Sequence, residues 1–255
     1  MPLSSKKHNR KRRDNAVKKA KGKIVRWIKA KMKLAGAKGL VFGLSGGIDS
    51  AAVAALAKQA AGKNALALIL PCHSSVKDVK DAMRVARALG VKTNTINLCR
   101  IYDALIKVLP KAARLAQGNL KPRLRMLILY YFANKLNYLV AGTGNKSEIS
   151  VGYFTKYGDG GVDILPIGNL YKYQVRALAE ELGIPKDIIY RPPTAGLWHG
   201  QTDEGEMGIT YKRLDRILAA LERGKKIGTK TEMKIIEKRI RQGRHKNAMP
   251  EICKA

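Results

Sequence analysis

A glycine- and serine-rich turn between an apolar run and an alanine-rich run constrains this chain more than any other segment. Residues 39–42 predict a strand, residues 51–61 predict a helix, and the sequence GLSGGIDS at residues 43–50 joins them. Adjacent glycines let backbone N–H groups converge on an anion at a helix N-terminus, where the helix dipole also favours negative charge. Asp49 would repel a bound phosphate unless a cation lay between them. The turn therefore predicts a site for Mg²⁺ and pyrophosphate.

Further strand and helix patterns alternate after this turn. The run at residues 65–70 is continuously apolar and ends at Pro71, which is typical of a buried parallel strand. The patterns predict strands at 39–42, 65–70, 91–98 and 138–141, and helices at 15–34, 51–61, 76–89, 102–115, 122–137, 170–182, 211–222 and 231–241. Such alternation predicts an α/β fold with a doubly wound, Rossmann-like parallel sheet flanked by helices.

A second glycine-rich segment, residues 142–144, follows the predicted strand at 138–141. Ligands of open parallel sheets bind beyond the carboxyl ends of the strands, so the two glycine segments point to one crevice. Glu148 follows the second segment, and Mg²⁺ usually takes one or two protein carboxylates together with nucleotide oxygens. Asp49 and Glu148 are therefore the predicted metal ligands, although Glu148 could instead be an acid in the first turn of a helix.

Length and composition indicate one domain without a membrane segment. We predict a basic disordered tail over residues 1–14 and a single domain over residues 15–255. No apolar run approaches the ~20 residues of a membrane span, and the basic N-terminus lacks the apolar core of a secretory signal. The scattered cysteines Cys72, Cys99 and Cys253 form no C-x-x-C pair. We therefore expect neither a disulfide framework nor a zinc site, and a cytoplasmic location.

Positive charge is concentrated at the two ends of the chain. The formal net charge is +31, and residues 1–40 hold 15 Lys and Arg against one acid, Asp14. Residues 221–255 hold 11 Lys and Arg against four acids. We interpret this excess as solvated helix faces that also attract polyanionic small substrates. Binding to nucleic acid is the alternative interpretation, and we do not expect it.

Four motifs stand in order between about residue 39 and residue 211: S-G-G-I-D-S, G-T-G-N-K-S-E, G-Y-F-T-K-Y-G-D-G and P-T-A-G-L-W-H-G-Q-T-D-E. The first resembles the pyrophosphate loop of the ATP pyrophosphatases, which split ATP between its α and β phosphates. Together the four resemble the NAD synthetases, which amidate deamido-NAD, and a weaker similarity continues at Arg244-His245-Lys246. The resemblance implies a fold of the ATP pyrophosphatase type, ATP as co-substrate, Mg²⁺ as cofactor, ammonia as substrate and a homodimer.

The resemblance also assigns roles to individual residues. Those expected to bind ATP are Gly43, Leu44, Ser45, Gly46, Gly47, Ile48, Asp49, Ser50, Thr143, Lys172 and Thr194. Those expected to bind deamido-NAD are Arg123, Lys156, Asp163, His245 and Lys246. Lys172 and Asp159 would be catalytic, and Asp159 would orient the nicotinate or the ammonia. Each position also has a structural alternative, such as a solvated cation for Lys172 or a surface charge for Arg123.

The implied reaction has two steps. The nicotinate carboxylate of deamido-NAD attacks the α-phosphorus of ATP, and ammonia then displaces AMP from the acyl-adenylate to give NAD. Only about 40 residues, none of them a cysteine, precede the first predicted strand, so we do not expect an amidohydrolase domain that draws ammonia from glutamine. Two alternatives stay open: another ATP pyrophosphatase, such as a GMP synthetase domain or a tRNA-thiolating enzyme, and a basic RNA-binding protein on a nucleotide-binding fold.

Overall fold

Four parallel strands form the central sheet in the computed structural model, which describes residues 3–253 and the side chains from residue 15 onward. They are β1 (Gly39–Gly43), β2 (Ala65–Ile69), β3 (Lys92–Thr95) and β4 (Tyr138–Val140), in the spatial order β3-β2-β1-β4. In the register of the sheet, Val41 of β1 lies between Leu66 and Val140. Beyond β4, Ala141 and Ile164 add an isolated parallel bridge.

Helices cover both faces of this sheet. They are α1 (Leu3–Leu34), α2 (Ile48–Ala61), α3 (Val76–Leu89), α4 (Cys99–Val108), α5 (Arg114–Gly118), α6 (Leu120–Leu136), α7 (Lys146–Ser150), α8 (Lys172–Glu181), α9 (Lys186–Ile189), α10 (Asp203–Met207), α11 (Tyr211–Leu221) and α12 (Lys230–Gly243). Helices α1, α2 and α8 pack together against one face, and α6 packs against the other. The predicted doubly wound α/β fold is thereby confirmed. Within the described residues, no helix has the length and apolar character that a bilayer span requires.

The side chains of β1 alternate between two separate parts of the core. Leu40 and Phe42 are buried with Ile28 of α1 and the apolar residues of α2. Val41 is buried on the opposite face with Ala133 of α6. A strand covered on both faces needs an apolar residue at every position, which explains the uninterrupted apolar run in the sequence.

The position of β1 in the sheet creates a crevice. β2 pairs with one edge of β1 and β4 pairs with the other, so the chain leaves the two strands β1 and β4 in different directions. Where connections diverge in this way, a gap opens beyond the carboxyl ends of the strands. The glycine-rich segments after β1 and β4 border that gap.

Two predicted elements differ from the structure. The predicted helix at residues 102–115 is divided into α4 and α5, because Pro110 lacks an N–H group and disfavours a helical residue before it. The tail expected to be disordered over residues 1–14 is helical from Leu3 onward. Neither proline nor glycine occurs between Leu3 and Lys21, and Lys and Arg are good helix formers. Residues 1–2 lie outside the described residues, and the single domain over 15–255 stays a prediction.

A close glycine contact fixes the C-terminal end of α12. A Cβ atom at Gly243 would lie 2.7 Å from the Cα of Gly152, and one at Gly152 would lie 2.5 Å from the Cα of Gly243. Gly152 also has a φ of 64°, a conformation that strains other residues. Just beyond this contact, Lys246 Nζ donates to the Gly152 carbonyl at 2.8 Å. The contact therefore holds the segment carrying Lys246 against the crevice.

We predict that Gly243→Ala lowers the free energy of unfolding by about 1–3 kcal/mol, because the backbone must move to admit a methyl group. The matched variant Gly22→Ala adds the same methyl group inside α1, where the nearest atom is the end of the Arg26 side chain at 3.5 Å. It should raise the free energy of unfolding by about 0.5–1 kcal/mol. Urea denaturation measures both values, and a shift of the same sign in both variants would contradict the prediction.

Candidate active site

A cavity of about 640 Å³ opens at the carboxyl ends of β1, β2 and β4. The predicted ATP-binding residues that line it are Gly43, Leu44, Ser45, Gly47, Ile48, Asp49, Ser50, Thr143, Lys172 and Thr194. Gly46 packs against α3 instead. Its φ is 83°, and a Cβ atom there would lie 2.6 Å from the carbonyl oxygen of Asp78. The strand order thus brings both glycine-rich segments to one cavity, with Gly46 required for the turn rather than for the lining.

Hydrogen bonds from two serines shape the loop after β1. The Ser50 hydroxyl donates to the Gly47 carbonyl at 2.9 Å and accepts from the Ser45 N–H at 3.2 Å. The Gly47 N–H donates to the Ser45 hydroxyl at 3.3 Å. Helix α2 begins directly after Gly47 without a side-chain cap. The N-terminus of α2 is therefore directed at the cavity as a site for an anion.

The ammonium group of Lys172 lies between two carboxylates in the cavity. Its Nζ is 2.5 Å from Oδ2 of Asp49 and 3.2 Å from Oε1 of Glu148. The Lys172 side chain is 2% exposed, and its ammonium lies 4.7 Å from the centre of the Tyr211 ring. Lys172 is 123 positions from Asp49 and 24 from Glu148, so only the fold brings the three together.

Asn145 holds the two carboxylates in place. Its side chain accepts a hydrogen bond from the Glu148 N–H at 3.1 Å, while Glu148 accepts from the Asn145 N–H at 3.2 Å. This reciprocal pair is a capping box, and it explains why α7 begins where it does. The Asn145 amide also donates to Oδ1 of Asp49 at 3.1 Å. Glu148 is thus an acid of a helix first turn and a member of the cavity cluster at once.

Burial and charge shift the pKa values of this cluster in defined directions. Burial lowers the pKa of Lys172, but the attraction of Asp49 and Glu148 outweighs it, and the net pKa of Lys172 is raised. Burial also raises the pKa of Glu148 to about 7, against the opposing effect of Lys172 and with a further contribution from Asp49. Lys172 is therefore a fixed positive charge, which suits contact with phosphate oxygens better than proton transfer.

Two tyrosines connect Glu148 to carboxylates that the sequence analysis left without a role. The Tyr211 hydroxyl lies 3.0 Å from Oε1 of Glu148 and 3.0 Å from Oδ2 of Asp203. The Tyr153 hydroxyl lies 3.2 Å from Oδ1 of Asp203 and 2.6 Å from Oε2 of Glu206. Each phenol has one proton, so each donates to one carboxylate at a time. Asp203 belongs to the fourth motif and Glu206 lies two residues beyond its end, but the motif does not indicate that Asp203 is buried.

Asp159 and Lys246, both predicted site residues, also line the cavity. Oδ1 of Asp159 accepts from the Thr155 N–H at 2.8 Å, and desolvation by the surrounding protein raises the pKa of Asp159. Lys246 donates to the carbonyls of Gly152 and Phe154, both at 2.8 Å, and burial lowers its pKa. Asp159 and Lys246 therefore add a further carboxylate and a further cation to the cavity, outside the Lys172 cluster.

From α6, Arg125 reaches the cavity, whereas the predicted residue Arg123 does not. Arg125 Nε donates to the Leu70 carbonyl at 3.1 Å, and burial lowers the pKa of Arg125. Arg123 is exposed. Two positions correspond to about 200° around a helix, so the two arginines lie on different sides of α6. The sequence R-L-R-M at residues 123–126 does not indicate which side of the helix faces the sheet, and the sequence analysis therefore missed Arg125.

Three other residues predicted to bind deamido-NAD lie outside the cavity lining of this single chain. Lys156 Nζ donates to the His245 carbonyl at 2.6 Å, and the side chain of His245 is exposed. Asp163 accepts hydrogen bonds from the Tyr130 hydroxyl at 2.9 Å and from the Val140 N–H at 2.8 Å. These contacts give Asp163 a structural role at the end of β4. A binding role for Lys156, Asp163 and His245 stays a prediction.

Comparison with known proteins shows which family this chain belongs to. Residues 21–250 match the family model described as NAD synthase. The chain belongs to the NAD synthase family. The NH3-dependent NAD+ synthetase of Carboxydothermus hydrogenoformans is 48% identical over 90% of this chain and 95% of that protein. The resemblance drawn from the four motifs is thereby confirmed.

Solved structures of other proteins agree with this NAD synthase fold. The NMN synthetase from Francisella tularensis is 39% identical, with a TM-score of 0.87 over 93% of this chain and 98% of that chain. The NH3-dependent NAD synthetase from Campylobacter jejuni, solved with a nitrate ion, is 34% identical, with a TM-score of 0.80 over 93% of this chain and 99% of that chain. The predicted ATP pyrophosphatase type of fold is confirmed by these neighbours.

In this member of the NAD synthase family, the donor set of Asp49 and Glu148 fits Mg²⁺. Both carboxylates line the cavity, and Mg²⁺ prefers such oxygen ligands. Each carboxylate offers about four acceptor positions, and the hydrogen bonds from Lys172, Asn145 and Tyr211 do not occupy all of them. Among the side chains of residues 15–253, no group of three or more His, Cys, Asp and Glu is placed to hold a metal. A Mg²⁺ ion here would need further oxygens from a nucleotide.

The raised pKa of Glu148 predicts that stability depends on pH. The folded chain keeps the Glu148 proton up to about pH 7, whereas a carboxyl with the ordinary pKa of 4.5 in the unfolded chain loses it earlier. Because the folded state then binds more protons, the free energy of unfolding falls as the pH rises from about 4.5 to about 7. Glu148→Gln should remove this component, as measured by denaturation without Mg²⁺ and nucleotide at a series of pH values.

Glu222→Gln is the matched control for this measurement. Glu222 pairs with Lys146 at 2.5 Å, is half exposed, and has no contact with Lys172. The control should therefore retain the falling stability between about pH 4.5 and about pH 7. A Glu148→Gln variant with the same pH dependence as the control would show that another group causes it.

Proposed function

We propose that this chain is an ammonia-dependent NAD synthetase, which uses ATP to amidate deamido-NAD and releases AMP and pyrophosphate. The observation that most supports this proposal is the Lys172 ammonium between Asp49 and Glu148, next to the glycine loop in one cavity. Adenylation of a carboxylate needs a phosphate cradle, a fixed cation and carboxylates for a metal ion. These groups meet here in a chain of the NAD synthase family.

The first proposed step joins the two polyanionic substrates. The nicotinate carboxylate attacks the α-phosphorus of ATP, and the bond from that phosphorus to the bridging oxygen of pyrophosphate breaks. Charge develops on the phosphate oxygens and on the leaving group. The N-terminus of α2 and the hydroxyl of Ser45 would bind the phosphates, and the Ser50 hydroxyl would hold the loop through its hydrogen bonds to Gly47 and Ser45. Lys172 would neutralise the developing charge without giving up its proton, because its pKa is raised.

Mg²⁺ would be held by Asp49 and Glu148, and when bound it supplies charge neutralisation at the phosphate oxygens. Thr143 and Thr194 are proposed to contact ATP, since both line the same cavity as the loop. Tyr211 and Asn145 would keep the Glu148 carboxylate oriented, because both donate to it. Some residues of the cluster would thus contact the phosphates or the metal, and others would orient the side chains that do so.

In the second proposed step, ammonia attacks the carbonyl carbon of the acyl-adenylate and AMP leaves. Asp159 is proposed to orient the ammonia or the nicotinate, because its carboxylate lines the cavity and is fixed by the Thr155 N–H. Lys246 lines the cavity as well and is proposed to contact deamido-NAD. Hydrogen bonds to the backbone hold both side chains in place. Neither residue is proposed to form a covalent bond with substrate.

The decisive experiment is an assay of the purified chain with ATP, Mg²⁺ and deamido-NAD, in which NAD and AMP are both measured. Equal amounts of NAD and AMP with ammonium, and neither with glutamine, are expected. A second arm replaces deamido-NAD with deamido-NMN, because one structural neighbour is an NMN synthetase. A third arm adds EDTA, which should stop both products if Mg²⁺ is required. Absence of NAD with ammonium would overturn the proposal. A preference for deamido-NMN would show that deamido-NMN, and not deamido-NAD, is the substrate that is amidated.

Lys172→Gln is expected to lower kcat by about 10²–10³, because one preorganised charge at the phosphates is lost. Lys146→Gln is the matched control, since Lys146 pairs with Glu222 and does not line the cavity. It should leave kcat within about twofold of the unchanged chain, because the Lys146–Glu222 pair is partly exposed and lies outside the cavity. Steady-state kinetics with ATP and deamido-NAD test this, and a rise in KM alone would contradict a role in the first step.

We also propose that the chain forms a homodimer through α6. Arg123, Leu127 and Tyr131 follow one another at four-residue intervals, so they share one side of this helix. Leu127 is 60% exposed and Tyr131 is 59% exposed, an apolar surface that a second copy would cover. The amphipathic helix α1 is the alternative interface, but it already packs its apolar side against the core of its own chain. A dimer through α6 would bring Arg123 of each chain to the interface.

The variant Leu127→Glu/Tyr131→Glu is therefore expected to sediment as a monomer, because two carboxylates would be buried without partners. Val76→Glu/Ile252→Glu is the control, since both residues are exposed at sites outside α6. This control should keep the mass of the unchanged chain in sedimentation equilibrium. If the unchanged chain is a monomer, or the control dissociates as readily, the proposed interface is wrong.

A further inference from the structure

The outward side of α1 carries positive charge that the proposed reaction does not use. At about 100° per residue, five of its cations fall within an arc of about 120°. They are Lys19, Lys23, Arg26, Lys29 and Lys33, and all five are exposed. They extend over about 21 Å of helix at a rise of about 1.5 Å per residue. None of them lines the cavity, so they do not belong to the candidate active site.

The other side of α1 is occupied within the chain. Ile28 is fully buried, and Ile24 and Met32 pack against the same core cluster. Lys21, which lies on this inner side, pairs with Glu181 of α8 at 2.8 Å. The apolar residues and the paired lysine of α1 therefore face the protein, and the five outer cations face solvent.

From residue 15 onward, no acid of α1 compensates the charge of this outer face. The sequence has no Asp or Glu between residues 15 and 34. None of the five cations forms a salt bridge to a side chain among residues 15–253. Lys19 and Lys23, and likewise Lys29 and Lys33, stand four residues apart, where like charges on a helix repel each other. A polyanion on this face would relieve that repulsion.

We propose that the outer face of α1 binds the phosphate backbone of double-stranded nucleic acid without reading its sequence. A duplex carries one negative charge per about 1.7 Å of its axis, so its charge density exceeds that of the five cations over the same length. Six further Lys and Arg precede residue 15 in the sequence of the same helix. From the sequence, the charge at the two ends of the chain was interpreted as solvated helix faces, whereas the helix places Lys19, Lys23, Arg26, Lys29 and Lys33 on one continuous face.

An anionic membrane suits this face less well than a duplex does. A helix that lies on a bilayer buries its apolar side among the lipid chains. The apolar side of α1 is packed against α2 and α8 and is not available. Trp27, at the edge of the outer face, is only 38% exposed. Contacts from this face are therefore electrostatic, as contacts to a phosphate backbone are.

The test measures binding of fluorescent duplex DNA and duplex RNA, each of about 24 base pairs, by anisotropy from about 50 to about 200 mM salt. The face variant replaces Lys19, Lys23, Lys29 and Lys33 with Gln, which keeps helix propensity high. The logarithm of the association constant should depend less steeply on the logarithm of salt, with a slope shallower by about 3.6. Binding of one duplex type alone would identify the natural form of the backbone.

Two further variants make the result specific. The control variant replaces Lys92, Lys212, Lys225 and Lys226 with Gln, which removes the same charge from exposed positions outside α1. It should keep the slope of the unchanged chain, as should a variant with Arg at the four α1 positions. Synthesis of NAD and the thermal unfolding midpoint verify that every variant is folded.

Three outcomes would overturn the proposal. The face and control variants could lose affinity equally, which would mean that net charge alone binds the duplex. The unchanged chain could fail to bind either duplex at about 50 mM salt. Vesicles containing phosphatidylserine could bind while both duplexes do not, which would assign the face to a membrane.

Discussion

The buried ammonium of Lys172 between Asp49 and Glu148 is the interaction on which the site depends. It joins the N-terminus of α2 to α7 and α8, three helices that follow different parts of the sheet. Without the ammonium, two carboxylates would face each other in a poorly solvated cavity, a costly arrangement for charges that have no partner. Asn145 and Tyr211 add hydrogen bonds to the same carboxylates. The cation therefore organises the cavity before any nucleotide binds.

The order of the strands makes this cluster possible. β1 and β4 are neighbours although about 95 residues separate them, so Asp49 after β1 and Glu148 after β4 reach the same gap. The glycine contact between Gly152 and Gly243 then brings Lys246 to the cavity from the end of the chain. The cavity is thus built from segments that the backbone topology, and not sequence proximity, places together.

Electrostatic interactions differ between the cavity and the outer face of α1. In the cavity, each charge has an opposite charge or a hydrogen bond within reach. Burial raises the pKa of Glu148, and for Lys172 the effect of burial is outweighed by the two carboxylates, so that its pKa is raised as well. On the outer face of α1, five exposed cations form no salt bridge with a side chain among residues 15–253, and each interacts with water and salt. Counterions on α1 can therefore be replaced by a polyanion, whereas Lys172 stays paired with its two carboxylates.

The amino-acid sequence by itself determined the family, the alternating α/β order and the chemistry of the glycine loop. Each of these depends on the spacing of residues within short segments, which can be read without the fold. It also predicted Asp49, Glu148 and Lys172 as site residues, by motif and resemblance. The tertiary structure decided that Lys172 bridges the two carboxylates, that Asp203 belongs to their hydrogen-bonded network, and that Arg125 rather than Arg123 lines the cavity. These outcomes depend on helix rotation and burial, which arise only when distant elements pack against one another.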